Sequence, residues 1–146
     1  MNGKMENNYI IQTEKCSTDK VLNILVKFDS TFSRPLSSHL NLKKFSEKLA
    51  MNANFVICEE NDEVVGFIAY YINDADQFCF ITLISVLNQY RRKGLGEKMF
   101  SYLLEKIKYP VKLEVKVSNS LAISFYTHLG FTKLHSTNDT YTLIRR

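Results

Sequence analysis

The stretch Phe78-Cys79-Phe80-Ile81-Thr82-Leu83-Ile84-Ser85-Val86, followed after four residues by Arg91-Arg92-Lys93-Gly94-Leu95-Gly96, decides the fold. The first segment is apolar and rich in β-branched and aromatic residues, the composition of a buried strand. Beyond Gly96 the period changes. Met99, Phe100, Leu103, Leu104 and Ile107 recur at spacings of three and four, which is one face of a helix. Pro110 stops that helix. Val111, Leu113, Val115 and Val117 then alternate strictly with Lys112, Glu114 and Lys116, a strand with one buried face. A strand–helix–strand step over 78–117 predicts a parallel crossover.

Upstream, Phe55-Val56-Ile57-Cys58 and Val64 to Tyr71 flank a polar turn, and Asn73-Asp74-Ala75-Asp76 turns the chain again into Phe78. The centre of the chain is therefore an antiparallel meander of three strands. Before it come a short strand over 9–14, a helix over about 18–30 capped by Ser17 or Thr18, and a helix over about 41–51. The Ser33-Arg34-Pro35 break separates the two helices. Downstream, Ser118 or Asn119 caps a helix whose stripe is Leu121, Ala122, Phe125, Tyr126 and Leu129. Gly130 ends it, and strands over about 131–135 and 140–145 close the chain. The expected class is α/β (α+β): one domain over 1–146, a mixed, mostly antiparallel sheet of about seven strands with four helices, in the order β-α-α-β-β-β-α-β-α-β-β.

Composition narrows the function. The 146 residues suit a single core, with 45% hydrophobic and 23% charged residues. Cys16, Cys58 and Cys79 form neither a disulfide framework nor a metal knuckle, and the last two lie in apolar runs that predict buried thiols. No apolar run approaches membrane-spanning length, and Met1 to Asn8 lacks the apolar core of a signal peptide. These features predict a bacterial-type cytoplasmic protein with no membrane partner. A net charge of +4 falls short of a nucleic-acid-binding composition, and no aromatic platform accompanies the single basic cluster, so no nucleic-acid partner is expected. His39, His128 and His135 are scattered, so no metal is expected either.

Arg91 to Gly96 sits between a strand and a helix. Glycines let a backbone approach a ligand, the first amides of the helix are open to phosphate oxygens, and Arg92 and Lys93 add charge. Neither a Walker loop nor a Rossmann fingerprint is present. By itself the segment reads better as a helix start with a solvated basic cluster than as a ligand loop.

The segment Ile84-Ser85-Val86, four residues, then Arg91-Arg92-Lys93-Gly94-Leu95-Gly96 resembles the acetyl-CoA-binding motif of the GNAT superfamily, R/Q-x-x-G-x-G/A after a β-strand. Leu113-Glu114-Val115-Lys116-Val117-Ser118-Asn119, with Ala122, Phe125-Tyr126 and Leu129-Gly130-Phe131, resembles that superfamily's second block. The likeness covers about 54–145. It implies that the fourth and fifth strands of the seven splay apart and that acetyl-CoA is the co-substrate. Pantetheine would run along Ile84, Ser85 and Val86, and pyrophosphate would rest on the amides of Arg92 to Glu97, with Arg91, Lys93, Gly94, Leu95 and Gly96 completing the loop. Asn119 would touch the pantetheine arm, although a helix cap alone explains it.

Tyr126 would be the general acid for the departing thiolate. From spacing alone it is a core aromatic. Glu114, twelve positions earlier, resembles the base of ribosomal-protein N-terminal acetyltransferases, and from spacing alone it is a solvated strand carboxylate. The likeness implies direct transfer without an acyl-enzyme.

Acceptor specificity is expected from Asp29 to Leu40, with Asp29 suited to an ammonium and Arg34 to a carboxylate or phosphate. The expected acceptor is a small-molecule primary amine such as an amino sugar. The alternatives are a peptide N-terminus and a non-catalytic acyl-CoA-binding module. A homodimer through the final hairpin is an expectation by analogy.

Overall fold

The computed structural model describes residues 4–6 and 8–146. In chain order the strands are β1 (Lys4–Glu6), β2 (Tyr9–Glu14), β3 (Asn54–Glu60), β4 (Glu63–Asn73), β5 (Phe78–Val86), β6 (Val111–Lys116), β7 (Thr132–Ser136) and β8 (Thr140–Arg145). The helices are α1 (Thr18–Phe28) and α2 (Leu42–Asn52) between β2 and β3, α3 (Leu95–Lys106) between β5 and β6, and α4 (Ser120–His128) between β6 and β7. The expected order is found, with one strand added in front: β1 pairs with β2 as a hairpin. Its three residues are too few for an alternation to show in the sequence.

One sheet runs β1-β2-β3-β4-β5-β6-β8-β7. Its pairs are antiparallel except β5 with β6, the crossover spanned by α3. Two helical layers cover it. Phe67 of β4 meets Phe28 of α1, ring centroids 5.0 Å apart. At the next residue, Gly66, a Cβ would sit 3.1 Å from the Met99 side chain of α3. Successive strand residues face opposite sides, so α1 lies on one face and α3 on the other. Burial on both faces explains why Val65 to Tyr70 is buried without interruption.

Local chemistry sets the helix limits. Ser17 accepts from the Lys20 amide and starts α1, which yields at Asp29 to a 3-10 turn rather than continuing to 30. Asn41 caps α2. Asn119, rather than Ser118, caps α4 by accepting from the Ala122 amide. Gly130, at φ +95°, ends α4 as expected. All three cysteines are buried. Among the described residues no helix is long and apolar enough to cross a membrane.

Candidate active site

Residues Cys79, Phe80 and Ile81 of β5 pair with Val111, Lys112 and Leu113 of β6, and there the parallel ladder stops. Thr82–Val86 and Glu114–Lys116 continue without pairing to one another. Each keeps its outer partner, β4 for β5 and β8 for β6, so the unpaired backbone groups face inward across the gap.

The cause lies in β5. Ala69 pairs with Leu83 and Tyr70 with Ile81, which leaves Thr82 as an extra residue. Such a bulge bends a strand and increases its twist, and it falls where the β5–β6 ladder ends. It also reverses the side-chain alternation. Cross-strand partners share a face, so Ser85, opposite Phe67, faces the α1 side, while Ile81, opposite Tyr70, and Ile84, opposite Ile68, face α3. Leu113 pairs with Ile81 on the α3 side, which sets Glu114 on the α1 side.

The gap opens into a cleft of about 1070 Å³ lined by Thr82 to Val86, Glu114 to Lys116 and the turn before α3. That turn holds two left-handed residues, Arg92 at φ +65° and Gly94 at φ +75°. A non-glycine residue held there costs on the order of 1 kcal/mol, as strained functional loops do. The two glycines serve different ends. A Cβ at Gly94 would meet nothing within 4 Å, so its need is conformational; at Gly96 a Cβ would lie 3.1 Å from the Phe125 ring, so its need is packing of α3 on α4. Gly94 gives α3 no side-chain cap, and the first helical bond is Lys98 N–H to Gly94 O. The amides of Leu95, Gly96 and Glu97 therefore lack helical acceptors and stand at the cleft wall. Arg92 is exposed beside them; Lys93, also exposed, lies 5.5 Å over the Tyr90 ring.

Tyr126 is buried among Phe100, Phe125 and Phe131, with ring centroids 5.5 to 6.1 Å away. Burial pushes its phenol up to about 12, so the hydroxyl stays protonated at neutral pH. Among the described residues the hydroxyl makes no hydrogen bond and no fully enclosed side-chain polar atom is left without a partner, so the hydroxyl keeps some exposure, and Tyr126 lines the cleft. Glu114 is exposed at the same cleft and has no ion pair among the described residues. Tyr126 approaches from the α3–α4 side and Glu114 from the α1 side, so the gap between β5 and β6 lies between a phenol and a carboxyl group.

The remaining site residues divide. Ile84, Ser85, Val86, Arg91, Leu95, Glu97 and Asn119 line the cleft, and the Asn119 side-chain oxygen is committed to its cap, 3.2 Å from the Ala122 amide. Arg34 lines the cleft without an ion pair among the described residues. Asp29 does not line it. Its carboxylate accepts from the Ser37 amide at 2.8 Å and from the Ser37 hydroxyl, which hold it below the usual carboxylate range. Sequence reasoning missed Thr31, whose hydroxyl lies 2.6 Å from that of Ser85. His39, inside the segment expected to set acceptor specificity, also stands at the cleft wall. No local pattern marks Thr31. Among the described residues no cluster of His, Cys, Asp and Glu is arranged to hold a metal ion.

A splayed parallel pair, with an uncapped helix start behind a basic turn, is the arrangement that the resemblance to the GNAT superfamily implies. The family model described as "Acetyltransferase (GNAT) family" matches residues 20–131, and the chain belongs to that family. A curated relative, an N-alpha-acetyltransferase of Sulfurisphaera tokodaii, is 35% identical over 97 residues, 56% of this chain; the match spans 58% of the length of that relative. The fold matches the ribosomal-protein-S18-alanine N-acetyltransferase from Escherichia coli with a TM-score of 0.75 at 19% identity, covering 92% of each chain. It also matches an Arabidopsis thaliana protein in complex with the bisubstrate analogue CoA-Ac-MVNAL, with a TM-score of 0.70 at 21% identity, covering 93% of this chain and 98% of that one.

Proposed function

We propose that this protein transfers the acetyl group of acetyl-CoA directly to a primary amine. The observation that carries the reading is the loss of β5–β6 pairing beyond Ile81, which leaves a backbone edge facing the cleft beside the open amides of α3. Pantetheine lies along Ile84–Val86 like an added strand. The pyrophosphate takes the amides around Arg92 to Glu97, with Arg92 and Lys93 supplying charge. The thioester then sits in the gap between β5 and β6.

Glu114, from the α1 side, takes a proton from the acceptor ammonium, directly or through water. The freed amine attacks the thioester carbonyl carbon, an N–C bond forms and the C–S bond breaks. As the C–S bond breaks, Tyr126, from the opposite side, gives its phenolic proton to the departing sulfur; the new amide nitrogen sheds its second proton to water, and Tyr126 regains a proton from water. Burial favours this role because it holds Tyr126 in the protonated form.

The acceptor enters past residues 29–40. Arg34 meets an anionic group on it; Asp29, already bound to Ser37, shapes the wall instead of binding the ammonium. We favour a small-molecule amine. A peptide N-terminus is the second reading, favoured by the likeness to the Sulfurisphaera tokodaii N-alpha-acetyltransferase. The reaction needs no metal, and the buried thiols suit a reducing cytoplasm. The test is acetyl-CoA-dependent thiol release against small amines, amino sugars and N-terminal peptides. Turnover with one class assigns the acceptor. Acetyl-CoA binding with no turnover on any class points to an acceptor outside these classes or to a binding module.

A further inference from the structure

Arg91 occupies the first position of the phosphate-loop motif, yet its side chain points away from that role. Its Nε donates to the Val86 carbonyl at 3.1 Å, and its Nη2 donates to the Thr31 carbonyl, sixty positions away, at 3.0 Å. Thr31 is fastened a second time. Its hydroxyl donates its single proton to the Phe28 carbonyl, so in the 2.6 Å contact the Ser85 hydroxyl is the donor and Thr31 accepts. Ser85 is buried on β5, the strand that borders the cleft. From Thr31 the chain runs through Phe32, Ser33 and Arg34, all at the cleft wall, to Ser37, where Asp29 closes the turn.

We infer that Arg91 is a positioning residue that fastens the acceptor wall to the acetyl-CoA side of the cleft, so that order in the phosphate turn is passed to the wall. The inference rests on the acetyl-CoA reading above. The planar guanidinium suits this task because its fixed fork serves two carbonyls in different directions, which one ammonium does not. The segment it holds is exposed over Ser33–Pro35 and Ser37–Leu40 and has few apolar anchors of its own, with Leu36 its buried residue. Such a segment opens readily unless hydrogen bonds fix it. Acetyl-CoA on the Arg92–Glu97 amides immobilises the turn that carries Arg91, and the two guanidinium bonds carry that order to Thr31.

The test is amide hydrogen exchange over residues 29–40, with and without acetyl-CoA, in the wild type, Arg91→Lys and Thr31→Val, alongside calorimetric measurement of acetyl-CoA affinity. Arg91→Lys keeps the positive charge and removes the fork. The expected result is exchange over 29–40 about fivefold faster than wild type, the loss of about one net hydrogen bond. Acetyl-CoA should slow that segment in the wild type and have little effect on it in Arg91→Lys, while affinity changes less than about twofold. Thr31→Val, which touches no phosphate site, should speed exchange in the same segment. Affinity lost in Arg91→Lys with exchange over 29–40 unchanged would make Arg91 a phosphate ligand and overturn the inference. Wild-type protein that does not bind acetyl-CoA would remove the underlying reading and the ordering with it; the apo exchange rates would still show whether the clip exists.

Discussion

Along its length the β5–β6 pair behaves as two different structures. Over Cys79–Ile81 and Val111–Leu113 the strands are hydrogen-bonded, and Cys79, Ile81, Val111 and Leu113 are buried in the core. Three residues further on, the same kind of apolar strand has no partner on that side, and its backbone lines a cleft. Residue chemistry does not separate the halves, since Ile81 and Ile84 are the same amino acid. The bulge at Thr82 does. One extra residue bends β5, ends the ladder and redistributes the side chains between the two faces. One half holds the fold together, and the other gives up pairing and gains a ligand edge.

The largest expected effect joins the two halves. Burial holds Cys79 in the paired half at about 12 and Tyr126 beside the open half at about 12, against ordinary values of 9.0 and 10.0; Cys16 and Tyr70 are also pushed to about 12. These groups are neutral when protonated, so the unfolded chain ionises first. These groups leave stability unchanged below about pH 9 and lower it steadily toward pH 12. Tyr126 alone accounts for roughly 3 kcal/mol of the loss, two units at about 1.4 kcal/mol each. Urea unfolding at stepped pH checks this, and stability that rose above pH 9 would contradict the burial of these groups.

The next effect separates chemistry from folding. Tyr126→Phe should lower turnover by roughly 10²- to 10⁴-fold, the usual range for a lost general acid. The acetyl-CoA dissociation constant and the unfolding midpoint should hardly move. Ile81→Ala should show the opposite pattern in the paired half, a loss of about 2–5 kcal/mol in urea unfolding from the cavity it leaves. The smallest effect lies on the exposed turn. Replacing Arg92 and Lys93 together by Gln should raise the acetyl-CoA dissociation constant roughly tenfold and flatten its dependence on salt, because exposed charges act through screened fields.

The sequence carried most of the architecture. The change of period at Gly96, the alternation from Val111 and the stop at Gly130 are local signals that the structure follows, with β6 ending at Lys116; α3 ends earlier than expected, at Lys106, because Ile107 is already extended ahead of Pro110. The bulge at Thr82 was hidden because β5 is apolar on both faces, so an extra residue breaks no visible alternation. The division of Glu114 and Tyr126 between two faces of the sheet was hidden because the alternation in β6 marks two faces without saying which helix covers each. Gly96 was legible as a glycine that must be small, but its neighbour is the Phe125 ring rather than a ligand. Arg91 was read from its place in the loop motif, and Asp29 by its charge. Each is committed to partners on another segment of the chain, and spacing carries no trace of a bond between Arg91 and Thr31.

The most direct measurement is a titration with acetyl-CoA followed at every backbone amide by NMR. The expected result is saturable binding with the largest shifts in Thr82–Val86 and Leu95–Glu97, while Cys79–Ile81 in the paired half stays nearly still. Absence of saturable binding, or shifts centred away from the gap between β5 and β6, would contradict the assignment of this cleft to acetyl-CoA.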